Sequence, residues 1–231
     1  MRLAIIPARG GSKRIPRKNI RHFLGKPIMA YSIEAALEAQ VFDAVVVSTD
    51  DSEIAAVARH YGAQVPFVRP ADISDDHSIT ADVIAHAIAW FEASGQAVDY
   101  ACCIYATAPF VTAENLRAAG EKIQSMPLDF VFSATQYGFP IQRAIRLTAD
   151  QRVVMFQPEH RLTRSQDLPP AYHDAGQFYW GRADAWRTKA PIFGEKSSVI
   201  VLPPEEVRDI DTEEDWRMAE LLYHLHKGLL V

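Results

Sequence analysis

Ile5-Ile6-Pro7-Ala8-Arg9-Gly10-Gly11-Ser12-Lys13-Arg14-Ile15-Pro16-Arg17-Lys18-Asn19 is the stretch from which the fold is read. Leu3 to Ile6 is an apolar run with the length of a short buried strand. Pro7 ends the run, and Gly10 and Gly11 follow. Arg9, Lys13, Arg14, Arg17, Lys18 and Arg21 then come with no acid among them. Glycines let backbone amides turn toward an anion. Lysine and arginine neutralise phosphate oxygens. Open α/β sheets place ligands at the carboxyl ends of their strands. The stretch therefore reads as a triphosphate-binding loop. The alternatives are a solvated basic loop or a generic nucleic-acid contact. It is not a Walker A loop, because Gly10 and Gly11 are adjacent. It is not the dinucleotide fingerprint either, because Pro16 opposes an immediate long helix.

Outward from the loop, apolar residues at helical spacing predict a helix from Pro27 to about Gln40. Phe42 to Ser48 reads as a second buried strand. Ser48-Thr49-Asp50 at its end serves either helix capping or ligand binding. Asp51 to Tyr61 reads as a helix stopped by Gly62, and Val65 to Val68 as a third strand. Strand–helix–strand–helix–strand is the pattern of a doubly wound, mostly parallel sheet. Arg69 follows at a strand end, before the acidic stretch Asp72 to Asp76. Ser78 or Thr80 is expected to cap a helix that ends near Gly95. His77 and His86 read as solvated or packed rather than as zinc ligands. Tyr100 to Ala106 and Phe130 to Thr135 read as strands, with Thr112 capping the helix between them.

Residues 136–170 lose this rhythm. Short apolar runs at Ala144–Leu147 and Val153–Phe156 suggest two small strands forming an arm whose apolar side needs a partner. We expect one domain, 1–231, with 136–170 as an accessory arm inside it. Residues Tyr172 to Trp180 mix polar groups with aromatics. They suit a sugar-binding wall, a local His173–Asp174 acid–base pair, or ordinary strand packing. A short helix from Arg182 to Lys189 and a strand at Val199–Leu202 come next. Asp209 and Asp211 lie two apart, so on extended backbone their carboxylates face one way. That pair reads as a magnesium site or as an acidic cap for the helix that Thr212 opens.

The chain has 231 residues and a net charge of -5, which argues against extended nucleic-acid binding. Cys102 and Cys103 are adjacent on a strand, face opposite ways and cannot readily bridge. With no apolar leader and no run long enough to span a bilayer, a cytoplasmic, non-membrane protein is expected.

The opening motif resembles that of the cytidylyltransferases that make CMP-sialic acids, a nucleotide-diphospho-sugar transferase fold of Rossmann-like type. The resemblance runs from about Arg2 to Tyr223. It implies that CTP and a nonulosonic acid give a CMP-sugar and diphosphate. It implies nucleotide contacts at Ala8, Arg9, Gly10, Gly11, Ser12, Lys13, Asn19, Arg69, Tyr105 and Thr107. It implies Arg9, Lys18, Asp209 and Asp211 as the catalytic set, Mg2+ on Asp209 and Asp211, and a homodimer through the arm. Asp209 is the protein candidate for a general base, with metal activation its rival. Tyr105 stands where the family pattern L-L-Q-P-T-S-P has its glutamine. Residues His173 to Trp180 replace the family's N-G-A-x-Y and resemble the branch that activates pseudaminic acid, with His173, Gln177 and Tyr179 as sugar contacts. N-acetylneuraminate and 3-deoxy-manno-octulosonate activation are the alternatives within the family. A non-catalytic nucleotide-binding scaffold is the alternative outside it.

Overall fold

Side chains alternate across a strand, and β1 (Arg2–Pro7) uses that alternation to build two cores at once. Leu3 and Ile5 enter one apolar cluster, Ala4 and Ile6 the other. The computed structural model describes residues 1–75 and 78–228, so Asp76 and His77 lie outside the described residues. After β1 come β2 (His22–Phe23), β3 (Lys26–Pro27), α1 (Ile28–Ala39), β4 (Ala44–Ser48), α2 (Ser52–His60) and α3 (Thr80–Ala93). Next are β5 (Tyr100–Ile104), α4 (Ala113–Ser125), β6 (Phe130–Gln136), β7 (Ile145–Leu147) and β8 (Val153–Met155). The chain continues with β9 (Tyr172–Arg182), α5 (Ala183–Arg187), β10 (Ser197–Leu202) and α6 (Glu213–His226).

Six strands form one sheet in the order β10-β6-β9-β5-β1-β4. Pairing is parallel except at β9, which runs antiparallel to both β5 and β6. The α/β, mostly parallel expectation holds, with one reversed strand inside the sheet. Helices α1, α2 and α4 cover one face through Met29, Ile33, Ile54 and Leu116. Helices α3 and α5 cover the other through Ile84, Phe91 and Trp186. Each fully buried side chain of this size contributes roughly 1.5–3 kcal/mol. Cys102 and Cys103 are free, buried and on opposite faces, as their adjacency requires. A third cluster joins Ile15 and Phe23 to Ile210 and Trp216, so α6 fastens the end of the chain to its first loop.

Two expected features are corrected. Val65–Val68 is not a strand, because Pro66 has no N–H to give a ladder. Contact with β4 shrinks to a bridge at Gln64, whose amide donates to the Val45 carbonyl at 2.8 Å. Ser78 and Thr80 do not cap α3: Ile79 holds the cap position without a side-chain bond, and Ser78 Oγ donates to Asp75 at 2.7 Å. Thr112 and Thr212 do cap their helices, and Thr212 forms a reciprocal capping box with Asp215.

Strands β7 and β8 pair only with each other, outside the main sheet. The segment around them leaves Phe139 and Leu162 86% and 85% exposed. Among the described residues, no helix is long and apolar enough to cross a membrane.

Candidate active site

The basic loop is braced from behind. The Ala8 amide donates to the Ser48 carbonyl at 2.9 Å, continuing the β1–β4 ladder beyond the strands. The Gly10 amide donates to Asp50 Oδ1 at 3.0 Å. A Cβ at Gly10 would lie 2.7 Å from Asp51 Oδ2, so the close approach requires glycine there. Ser12 Oγ donates to the Ile15 carbonyl at 2.6 Å, and Asn19 Nδ2 to the Arg9 carbonyl at 2.9 Å. These bonds close the loop on itself.

A cleft of about 620 Å³ opens at the carboxyl ends of β1 and β5. From the loop, Arg9, Ser12, Lys13, Lys18 and Asn19 line it. Arg69 lines it from the chain beside β4, and Tyr105 and Thr107 from the end of β5. Of the other nucleotide contacts expected, Ala8 is buried, the Gly10 amide is committed to Asp50, and Gly11 has open space around it.

Arg69 is the unusual member. It is 4% exposed, and its Nη2 has no hydrogen-bond partner. Nε donates to Ser74 Oγ at 3.1 Å, and Nη2 lies 3.7 Å from Asp50 Oδ1. Burial lowers its pKa, Asp50 opposes this, and the charge of Arg9 adds to it. A guanidinium held in this way, with an N–H to spare beside a cleft, is suited to an incoming anion.

The segment before α6 reaches the same loop. Lys18 Nζ donates to the Ile210 carbonyl at 2.6 Å and lies 3.5 Å from Asp211 Oδ1. Arg14 Nη1 lies 2.7 Å from Asp211 Oδ2. Asp209 is exposed as a residue, yet crowding around its carboxyl raises its pKa. Asp211 adds to the rise and Lys18 opposes it. Two carboxylates that repel each other beside a cationic cleft are a donor set that a hard divalent cation fits.

The aromatic stretch lies elsewhere. His173 is exposed, and its Nδ1 sits 2.9 Å from the Asp174 backbone oxygen, so the two side chains form no acid–base pair. Asp174 instead accepts from the Tyr179 hydroxyl and from the Gly176 amide. Tyr179 is buried, with its ring against Phe132 and Tyr105. Gln177 is buried and donates to the Glu206 carbonyl at 2.6 Å. None of the expected sugar contacts, His173, Gln177 and Tyr179, lines the cleft. Thr80 does line it, and no pattern in the sequence marked it beyond a capping role. Asp50 and Asp51 are the loop's two anchors. Their place directly after a buried strand was their only signal.

Residues 3–216 match the protein family described as Cytidylyltransferase. The chain is 50% identical over 224 residues to the pseudaminic acid cytidylyltransferase of Campylobacter jejuni subsp. jejuni serotype O:2, covering 97% of both chains. It is 33% identical over 236 residues to the CMP-N,N'-diacetyllegionaminic acid synthase of Legionella pneumophila subsp. pneumophila, covering 99% of both. Among solved structures, CMP:2-keto-3-deoxy-manno-octonic acid synthetase complexed with CTP is similar in fold. Its TM-score is 0.71 at 16% identity, over 97% of this chain and 99% of that one.

Proposed function

We propose a function on the premise that the chain belongs to the cytidylyltransferase family: it transfers CMP from CTP to pseudaminic acid and releases diphosphate. The observation that carries this reading is the convergence of Arg9, Lys13, Lys18 and the incompletely paired Arg69 on one cleft. The 50% identity over nearly the full length of a pseudaminic acid cytidylyltransferase supports the choice of sugar.

The anomeric hydroxyl at C2 of the sugar attacks the α-phosphorus of CTP in line. A new P–O bond forms, the bond to the α,β-bridging oxygen breaks, and diphosphate leaves with that electron pair. The hydroxyl proton passes to a base or to solvent. Charge spreads over phosphoryl oxygens throughout, so most of the catalysis is positioning and electrostatic stabilisation. Arg9, Lys13 and Lys18 hold the triphosphate, and Asn19 fixes the Arg9 carbonyl beneath it. Arg69 offers its spare N–H to an anionic group deeper in the cleft. Asp209 and Asp211 would hold magnesium, which supplies neutralisation of phosphate charge when bound. Tyr179 acts through Tyr105, against whose ring it packs. His173 and Gln177, outside the cleft lining, receive no role in the step.

The arm makes this chain one half of a homodimer, because its exposed apolar side chains need cover. The activity is tested by diphosphate release from CTP, magnesium and one sugar at a time. Release with pseudaminic acid is expected. Release with none of pseudaminic, N-acetylneuraminic or 3-deoxy-manno-octulosonic acid would overturn the reading.

A further inference from the structure

Arg17 belongs to the basic loop, yet its guanidinium reaches α2 rather than the cleft. Its backbone is left-handed, with φ 54°. A side chain larger than glycine's is strained there, and such strain persists only where the surroundings enforce it. What enforces it is a fork of contacts. Arg17 Nη1 donates to Asp51 Oδ2 at 2.5 Å and Nη2 to Asp51 Oδ1 at 3.1 Å, with Glu53 taking a further bond from Nη2. Asp51 is itself fixed, because its Oδ1 caps α2 through the amides of Glu53 and Ile54 at 2.9 and 3.0 Å. The same carboxylate lies against Gly10, at the other foot of the loop.

The left-handed residue also sits where it matters. It is the residue immediately before the short turn Lys18–Ile20. The turn that follows puts Lys18 and Asn19 on the cleft wall.

We infer that Arg17 and Asp51 form a positioning clamp that sets Lys18 and Asn19 against the triphosphate. The loop is thereby held at both feet by Asp51, the third residue past β4 and the cap of α2. The clamp touches no substrate, so it works through the residues it orients. The inference rests on reading this loop as the triphosphate site.

Arg17→Gly separates the clamp from simple backbone strain, since glycine accepts the left-handed backbone and removes the fork. If Arg17 only tolerates its strained place, Arg17→Gly binds CTP as the parent does. A clamp makes Arg17→Gly and Arg17→Ala both bind CTP about tenfold more weakly by calorimetric titration, with the melting temperature of Arg17→Gly near the parent's. Arg17→Lys keeps the charge but loses the two-pronged fit, so it restores part of the affinity. In turnover, KM for CTP rises while KM for the sugar stays the same. CTP affinity of Arg17→Gly within twofold of the parent would overturn the clamp. Titration with CTP alone does not depend on the sugar, so a wrong sugar assignment leaves this test intact. A parent that binds no CTP would remove the clamp and the function together.

Discussion

At the scale of single residues, the cations of the cleft differ in what holds them. Lys18 is held by a backbone carbonyl and an aspartate, so its ammonium is placed before any substrate arrives. Lys18→Ala is expected to lower turnover about a hundredfold, the loss of roughly 3 kcal/mol of transition-state contact. A rate within twofold of the parent in a stopped diphosphate assay would contradict that role. Asp211→Asn should fold normally and need more magnesium for the same rate, and excess chelator should abolish turnover of the parent. Chelator-resistant activity would remove the metal from the scheme. The cationic run was legible because a charge cluster beside glycines is a local pattern. Arg69's burial was not legible. It depends on Asp50, Ser74 and the strand-edge chain meeting in space, and no spacing in the sequence encodes that meeting.

At the scale of elements, β9 is the instructive case. Its antiparallel course escaped the sequence reading because it is not a regular alternating strand. The register with β6 shifts between Phe132 and Ala134, and Gly176 takes φ 62° at the irregularity. Ser133 Oγ accepts from the amides of Gln177 and Phe178 there, in place of part of the ladder. Buried on both faces, Phe178-Tyr179-Trp180 reads as an aromatic cluster rather than as period two. Farther along, a Cβ on Gly181 would lie 2.4 Å from Trp186 Nε1 and 2.6 Å from Phe130 Cε1. Gly181→Ala should therefore cost about 1–3 kcal/mol in unfolding free energy, measured by urea denaturation. An unchanged midpoint would mean that the two rings give way freely. The Arg17–Asp51 contact makes an acid-range prediction. Hydrogen bonding to Arg17 is the chief cause that lowers the Asp51 pKa to about 2. A folded pKa below the unfolded one adds stability that is complete above about pH 4 and lost as pH falls through about 2. Arg17→Ala should thus lie at most about 2 kcal/mol below the parent near neutrality, less after solvent screening of this half-exposed pair. The gap should close on acidification, and one that stayed constant across that window would argue against the pair.

At the scale of the whole molecule, the alternating strand and helix pattern was legible over most of the chain, since apolar periodicity is a local signal. How the last segment folds back onto the first loop was not. Ile210 and Trp216 pack with Ile15 and Phe23, contacts close to two hundred residues apart in sequence. That closure brings Asp209 and Asp211 to the basic loop. The arm is the other whole-molecule feature, and its exposed Phe139, Phe156 and Leu162 should be covered by a second copy. Sedimentation at micromolar concentration should give about twice the 25.8 kDa chain mass, and a clean monomer would reject the dimer. Cytidylyl transfer to one kind of sugar acid is the activity proposed for this chain. The most direct test is a single competition in which the protein, CTP and magnesium meet equal concentrations of pseudaminic, N-acetylneuraminic and 3-deoxy-manno-octulosonic acids. Mass spectrometry then reads the CMP-sugars formed at early times. The account expects CMP-pseudaminic acid in at least about tenfold excess, a gap of roughly 1.4 kcal/mol in transition-state stabilisation. Equal or greater formation of CMP-N-acetylneuraminic acid would contradict it.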